Sequence, residues 1–242
     1  DAINKGVPFG FHSVISPMMN LGLLNPRDVV DATLSYYEDS EVRLASVEGF
    51  LRQVIGWREF VRGVYESYSL RTNEFGHQRS LQDSWWEGTT GLPPVDDVVD
   101  QVMEYGYAHH IQRLMVASNV MLLCEVDPDE VYEWFMSLFV DSADWVMEPN
   151  VYDMGQYATG GVFATKPYIS SSNYVRKMSD YSEGEWSEDW DALYWSFLDR
   201  HRDALADNNR MSFMYSLLDK KSDEDVEEMH ERAEAVRDRL TD

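Results

Sequence analysis

Residues 107–123, YAHHIQRLMVASNVMLL, place two adjacent histidines and an arginine at the start of a long apolar run. The apolar side chains predict a helix over residues 108–125. His110 and Arg113 are three positions apart and therefore share one face of this helix. The adjacent His109 points about 100° away from His110, so at most one of the two faces a given cavity directly.

Helical patterns continue on both sides of this stretch. Residues 46–68 repeat apolar side chains at three- and four-residue spacing, and Pro26 after Asn25 is a typical helix start. Further helices are predicted over residues 96–105, 127–140, 190–205 and 225–240. The last of these is expected to be a highly charged surface helix.

Two stretches are predicted to be loops, residues 66–94 and residues 148–172. The second is rich in Gly, Ser and aromatic residues, so we expect it to be ordered and packed inside the molecule. No alternating strand pattern persists anywhere. The sequence therefore predicts one all-α domain over residues 1–242.

Composition narrows the class of protein. The 242 residues are 44% hydrophobic and 13% aromatic, which excludes a wholly disordered chain. No apolar run is long enough for a transmembrane helix, and no signal peptide is expected at the N-terminus. The single cysteine, Cys124, lies in an apolar run and is predicted to be a small buried side chain in a reducing, cytoplasmic protein.

Acidic residues greatly outnumber basic ones. There are 44 Asp and Glu against 20 Lys and Arg, a net charge of −24, and the acids are spread along the chain. This pattern favours a halophilic, salt-adapted surface, with an acidic mesophilic protein as the alternative. High salt screens such a field, so a nucleic-acid partner stays possible if it uses local Arg or aromatic contacts.

Three local groups of residues give weaker indications of a binding site. The turn from His12 to Ser16 is able to hold a phosphate, although taken alone it is better explained as a helix-capping turn. Asp141 is either the buried ion-pair partner of Arg113 or an acidic residue at the surface. His201 and His230 are expected in solvent-exposed helices, so no metal site is predicted.

Taken together, several stretches are specific. They are PFGFHSVISPMMNLGLLNPRDVV, VEGFLRQVIGWREFVRGVY, YAHHIQRLMVASNVMLL, WVMEPNVYDMGQYATGGVFATKPYISSSNYVRKMSDY and ALYWSFLDRHRDALADNNRM. In this order the chain resembles the helical flavin-binding domain of the photolyase/cryptochrome superfamily. Within it, the chain is similar to the prokaryotic branch that repairs (6-4) photoproducts and usually carries a [4Fe-4S] cluster.

The resemblance implies a U-shaped FAD and assigns roles to individual residues. It implies a phosphate turn at His12, Ser13, Ile15 and Ser16, and flavin contacts at Gln53, Arg58, Arg113, Asp141 and Met147. His110 corresponds to the histidine that faces the lesion, with His109 beside it, and Tyr168 to an aromatic of the lesion pocket. Trp134 and Trp86 correspond to residues that carry electrons from the surface to the flavin.

The chain also departs from the family pattern. Pro94, Ser182, Glu185 and Glu188 stand where cluster cysteines are expected, so the [4Fe-4S] cluster is predicted to be absent. Met147 replaces an Asn or a carboxylate near flavin N5. The N-terminal α/β antenna domain of the family is expected to be absent from this chain, and no antenna chromophore is expected on it.

The activity implied by the resemblance is light-driven repair of UV-damaged DNA. Photoexcited FADH⁻ passes an electron to a flipped-out pyrimidine dimer, and a protonated His110 acts as general acid on a (6-4) lesion. The alternative is a cryptochrome-like blue-light photoreceptor without repair activity, favoured by Met147, Glu66 and the negative charge. A third possibility is a helical remnant that no longer binds flavin.

Overall fold

The computed structural model describes residues 2–206, 208–209 and 211–242. Helices account for the regular structure in this part of the chain, as predicted. Its extended pairings are three isolated bridges, Ile3 with Ser179, Arg79 with Val126 and Leu81 with Thr241. Among the described residues, no helix is long and apolar enough to cross a membrane.

The α-helices are α1 Ser16–Asn20, α2 Pro26–Glu38, α3 Leu44–Leu51, α4 Arg58–Ser67, α5 Ser84–Glu87, α6 Pro93–Tyr105, α7 His110–Gln112, α8 Asn119–Leu123, α9 Pro128–Leu138, α10 Asp144–Glu148, α11 Ser172–Met178, α12 Glu185–Arg200, α13 Ser212–Leu218 and α14 Asp223–Leu240. Three π-helical segments continue some of them: π1 Arg52–Trp57, π2 Arg113–Ser118 and π3 Pro149–Gly155. As a result, α3, π1 and α4 form one continuous helix, and so do α7, π2 and α8.

The core is built around π2 and α8. Val116, Ala117, Val120 and the residues up to Cys124 are completely buried. A helix that is apolar on all sides is stable only inside a core, which explains the unbroken apolar run in the sequence. Burial raises the pKa of the Cys124 thiol to about 12, so this thiol stays protonated and unreactive.

The last helix is not simply a surface helix. α14 packs along α12, and Met229, Ala233, Val236 and Leu240 are buried on that side. Even Arg237 is fully buried, where it contacts Ser196, Glu234 and Glu125. The charged residues cover the opposite side, so the prediction was right for one face of α14 and wrong for the other.

Helix ends differ from the predicted ones where turn signals are weak. Asn25 caps α2 by accepting the backbone N–H of Arg27 at 2.9 Å, as expected. In contrast, α12 covers 185–200 rather than 190–205. The short helices α1, α5, α10, α11 and α13 were not predicted, because four to seven residues do not complete two helical periods.

Residues 148–172 are folded into the interior, as expected, but they begin with the helical segment π3. Tyr152, Gln156, Ala158 and Ala164 are buried. The stretch therefore forms part of the wall behind the site described below.

The expected solvent position of His201 is wrong. Its Nε2 lies 3.3 Å from Nε2 of His77, and its ring packs against Phe75 and Phe197. His230 is likewise engaged, with Ser196 at 2.9 Å and Asp199 at 2.8 Å. In the described residues, no group of three or more His, Cys, Asp or Glu side chains is arranged to hold a metal ion.

Candidate functional site

One large cavity collects residues from distant parts of the sequence. Its volume is about 710 Å³. The predicted site residues that line it are His12, Ser13, Ile15, Ser16, Gln53, Arg58, His110, Arg113, Asp141 and Met147. A cavity of this size with apolar walls and a few polar groups is typical of a cofactor or ligand site.

All three π-helical segments contribute to the cavity wall. π1 provides Gln53, Val54 and Trp57; π2 provides Arg113, Leu114 and Ser118; π3 provides Asn150, Val151 and Met154. A π turn is rare in proteins and is found frequently at functional sites. Three π-helical segments border this one cavity, so the regular α-helical hydrogen bonding is interrupted where the backbone forms the site.

Arg113 and Asp141 form a bidentate ion pair in this wall. The two guanidinium nitrogens lie 2.8 and 3.0 Å from the two carboxylate oxygens. The hydroxyl of Ser16 donates to the same carboxylate at 2.7 Å, and Arg113 also donates to the carbonyl of Ala108. Asp141 is therefore a buried partner of Arg113 rather than a surface acid.

Arg58 is a half-buried cation of a different kind. Its guanidinium donates to Asn20 Oδ1 at 2.7 Å and lies over the ring of Trp145 at 4.9 Å. No carboxylate in the described part of the chain ion-pairs with it, and burial lowers its pKa. A cation that lines a cavity without an anionic partner is suited to bind an anionic ligand group.

The turn before α1 is strained where it meets the cavity. Val14 has a φ of 52°, in the left-handed region that a β-branched residue rarely adopts. Its neighbours Ser13 and Ile15 line the cavity. Strain of this kind persists only where the surroundings impose it, and it concentrates at binding sites.

The two histidines have different positions. His110 faces the cavity, whereas His109 is buried, stacks on the ring of His12 at 4.5 Å and caps α7. Nδ1 of His109 accepts the backbone N–H of Gln112, so its Nε2 carries the proton in the neutral ring. His109 therefore fixes the start of the helix that carries His110.

The protonation of His110 depends on its surroundings in the cavity. Desolvation, together with the charge of Arg113, lowers the pKa of His110 to about 4, although the residue as a whole is exposed. Burial lowers the pKa of His109 to about 4 as well. Asp141 is occupied by Arg113 and Ser16, so His110 is neutral near pH 7 in the free cavity.

Three other predicted residues lie outside the lining of the cavity. Tyr168 packs behind it against the cluster of Leu114, Met115 and Met154. Trp134 is buried behind Phe135, which lines the cavity, with ring centroids 5.0 Å apart. Trp86 is partly exposed at the surface. The roles assigned to these residues stay predictions.

The indole ring of Trp134 also packs edge to face against that of Trp85, at 6.3 Å between centroids, and Trp134 Nε1 donates to the Trp85 carbonyl. Sequence reasoning did not predict this contact. It also missed Asn20 and Trp145, which hold Arg58. No local signal identifies them, because they are far from Arg58 in sequence.

The positions expected to have lost cluster cysteines lie on two neighbouring segments. Tyr181 donates to Asp97 at 2.5 Å, and Arg239 joins the Thr90 carbonyl to Asp189. Pro94 is buried, whereas Ser182, Glu185 and Glu188 are exposed. Trp186 and Trp190 pack edge to face beside them, with centroids 6.0 Å apart.

The sequence of the chain matches that of known proteins. Residues 49–192 match the family model described as the FAD binding domain of DNA photolyase. The chain is 38% identical over 249 residues to a (6-4) photolyase of Agrobacterium fabrum, an alignment that covers 97% of this chain and 49% of that protein. It thus spans about half the length of that relative.

Two further relatives match different shares of this chain. An uncharacterized protein, R855, of Acanthamoeba polyphaga mimivirus is 53% identical over 85 residues, 35% of this chain and 69% of that protein. A deoxyribodipyrimidine photo-lyase of Halobacterium salinarum is 26% identical over 208 residues, 81% of this chain and 41% of that protein.

Proposed function

The chain belongs to the FAD-binding domain family of DNA photolyases, and we propose that it binds FAD in this cavity and repairs UV-damaged DNA with light, as a (6-4) photolyase does. The observation that carries the proposal is the cavity itself. It brings the turn 12–16, Arg58, His110 and the Arg113–Asp141 pair together. The 38% identity to a (6-4) photolyase supports the lesion type.

The residues of the cavity fit the chemical parts of FAD. Arg58 has no carboxylate partner in the described chain, so it is free to pair with a phosphate. Leu114 and Phe135 provide apolar surface for the flat rings of FAD. The Arg113–Asp141 ion pair places one positive and one negative charge at fixed positions in the cavity wall, and the two charges sum to zero. When bound, the flavin supplies light absorption and electron transfer.

His110 is placed to handle a proton at the cavity wall. In the free cavity its low pKa keeps it neutral. An anion bound beside it favours the protonated ring and raises this pKa. The histidine thus becomes a general acid when the site is loaded, and stays neutral otherwise.

The test has two stages. Purified protein should carry FAD, released on denaturation and identified by chromatography, and Arg58→Met should lose it. Arg43→Met is the matched control, because Arg43 is exposed and forms no ion pair in the described residues. The loaded protein should then remove (6-4) lesions from duplex DNA in light and not in darkness. Loaded protein that leaves the lesions intact would contradict the repair function.

A photoreceptor without repair activity is the second candidate. The net charge of −24 favours it, because such a field repels DNA at low salt. It predicts bound FAD that is reduced in light while lesions persist. The single buried cysteine supports a reducing, cytoplasmic location for either function.

A further inference from the structure

Asp153 is a fully buried carboxylate without an ion-pair partner in the described part of the chain. It lies in π3 and accepts hydrogen bonds from one short loop, residues 159–164. The donors are the Thr159 hydroxyl and the backbone N–H groups of Val162 at 2.7 Å, Phe163 at 3.1 Å and Ala164 at 2.7 Å. Buried charge is tolerated only when it is hydrogen-bonded in this way, and such bonds are strong.

The loop has little freedom to adopt another shape. Gly160 and Gly161 have φ values of 70° and 98°, which other residues rarely adopt. A Cβ at Gly161 would lie 2.6 Å from the carbonyl oxygen of Ala164 and 2.9 Å from the hydroxyl of Tyr157. The loop is therefore fastened to Asp153 at one end and confined at its tip.

This loop carries Phe163 to the outside of the cavity wall. The ring of Phe163 packs edge-on against Trp57 at 6.1 Å and against Phe60 at 5.5 Å between centroids. Trp57 lines the cavity, whereas Phe60 is exposed. Asp153 is thus linked to the cavity through three backbone hydrogen bonds and one aromatic contact.

We propose that Asp153 is a positioning residue that sets the shape of the Trp57 side of the cavity and thereby its fit to an unstacked pyrimidine lesion. The proposal rests on the proposed function. Extruding a base from a duplex costs free energy, which a wall already in its binding shape helps to offset. The acidic surface attracts phosphates poorly, so shape contributes a larger share of binding here.

The test compares Asp153→Asn with Asp189→Asn. The second aspartate is also buried, but it is held by Arg232 and Arg239 on the α12–α14 side. Asp153→Asn keeps the shape of the side chain and turns an acceptor into a donor that faces backbone N–H groups. We expect unchanged FAD content, faster amide exchange at residues 162–164, and about tenfold weaker binding of a (6-4)-lesion duplex in the dark.

The rate of repair at saturating duplex should stay unchanged in Asp153→Asn, because the residue touches neither the cavity nor its contents. Asp189→Asn should leave binding and loop exchange as they are. If Asp153→Asn does not fold, Gly161→Ala displaces the same loop while the carboxylate remains, and the same weakening is expected.

Faster loop exchange with unchanged lesion affinity would overturn the role of Asp153 alone. Unchanged exchange at residues 162–164 would overturn it as well. Unsubstituted protein that binds FAD but no lesion duplex would overturn the proposed function together with the ligand named here. The unsubstituted protein therefore separates the two failures.

Discussion

Arg113→Met should destabilise the chain more than Asp141→Asn, although both changes break the same ion pair. In Arg113→Met the carboxylate of Asp141 stays charged and buried, with the Ser16 hydroxyl as its remaining side-chain donor. Breaking a buried pair in this way costs about 3 kcal/mol. In Asp141→Asn the cation keeps the Ala108 carbonyl and the rings of Tyr107 and Phe139.

For that reason the expected cost of Asp141→Asn is about 1 to 2 kcal/mol. The double variant holds no buried charge at this point, so it should be more stable than Arg113→Met alone. We expect a coupling energy of about 2 kcal/mol between the two positions.

The measurement is urea unfolding of the flavin-free chain, followed by far-UV circular dichroism. Arg43→Met serves as the control for loss of an exposed arginine and should change the midpoint little. A double variant that is no more stable than Arg113→Met would show that the carboxylate is not left uncompensated, and the reasoning would fail.

Four further outcomes are expected. Acidification from pH 7 to 5 should lower the free energy of unfolding by about 2 kcal/mol through His77. Burial lowers the pKa of this residue to about 4, so only the unfolded chain takes up the proton in that window. Urea titrations of His77→Gln should lack this contribution, and a pH dependence identical to that of the unsubstituted chain would contradict the prediction. Val14→Gly should raise stability by about 1 kcal/mol in thermal scans by relieving the positive φ, and a lower melting temperature would speak against strain there. Gly155→Ala should cost about 2 kcal/mol, because its Cβ would overlap Ser118 Oγ, and Ser118→Ala should restore part of the loss if that contact is the cause. Elemental analysis should find no stoichiometric iron, whereas one cluster per chain would overturn the interpretation of Pro94, Ser182, Glu185 and Glu188.

The helical fold could be predicted because long amphipathic periods survive in the sequence. The stretch 46–68 shows such a period, and α3, π1 and α4 occupy it. The π turn inside it could not be predicted, since one additional residue per turn barely disturbs spacings of three and four. Short helices such as α10 could not be predicted either, because they contain too few residues to show a period.

The site was predicted in part. The shared face of His110 and Arg113 follows from their local spacing, and the resemblance supplied the distant positions. From residues alone Asp141 stayed ambiguous, because its pairing with Arg113 is a tertiary contact across 28 positions. The protonation of His110 stays a prediction, because it depends on the surroundings of the ring and on what the cavity holds, which no local pattern reports.

The helix over residues 44–67 carries a change of phase. Val54, at the π turn, packs into a small cluster with Met19 and Val29, whereas Val64 belongs to the main core. Each residue advances an α-helix by about 100°, so removing one residue from Arg52–Trp57 would either close the π turn or rotate α4, and Arg58 with it, away from its partners. At this point the number of residues matters as much as their identity. In either case a deletion would leave the side chains of this helix present but would change which neighbours they contact.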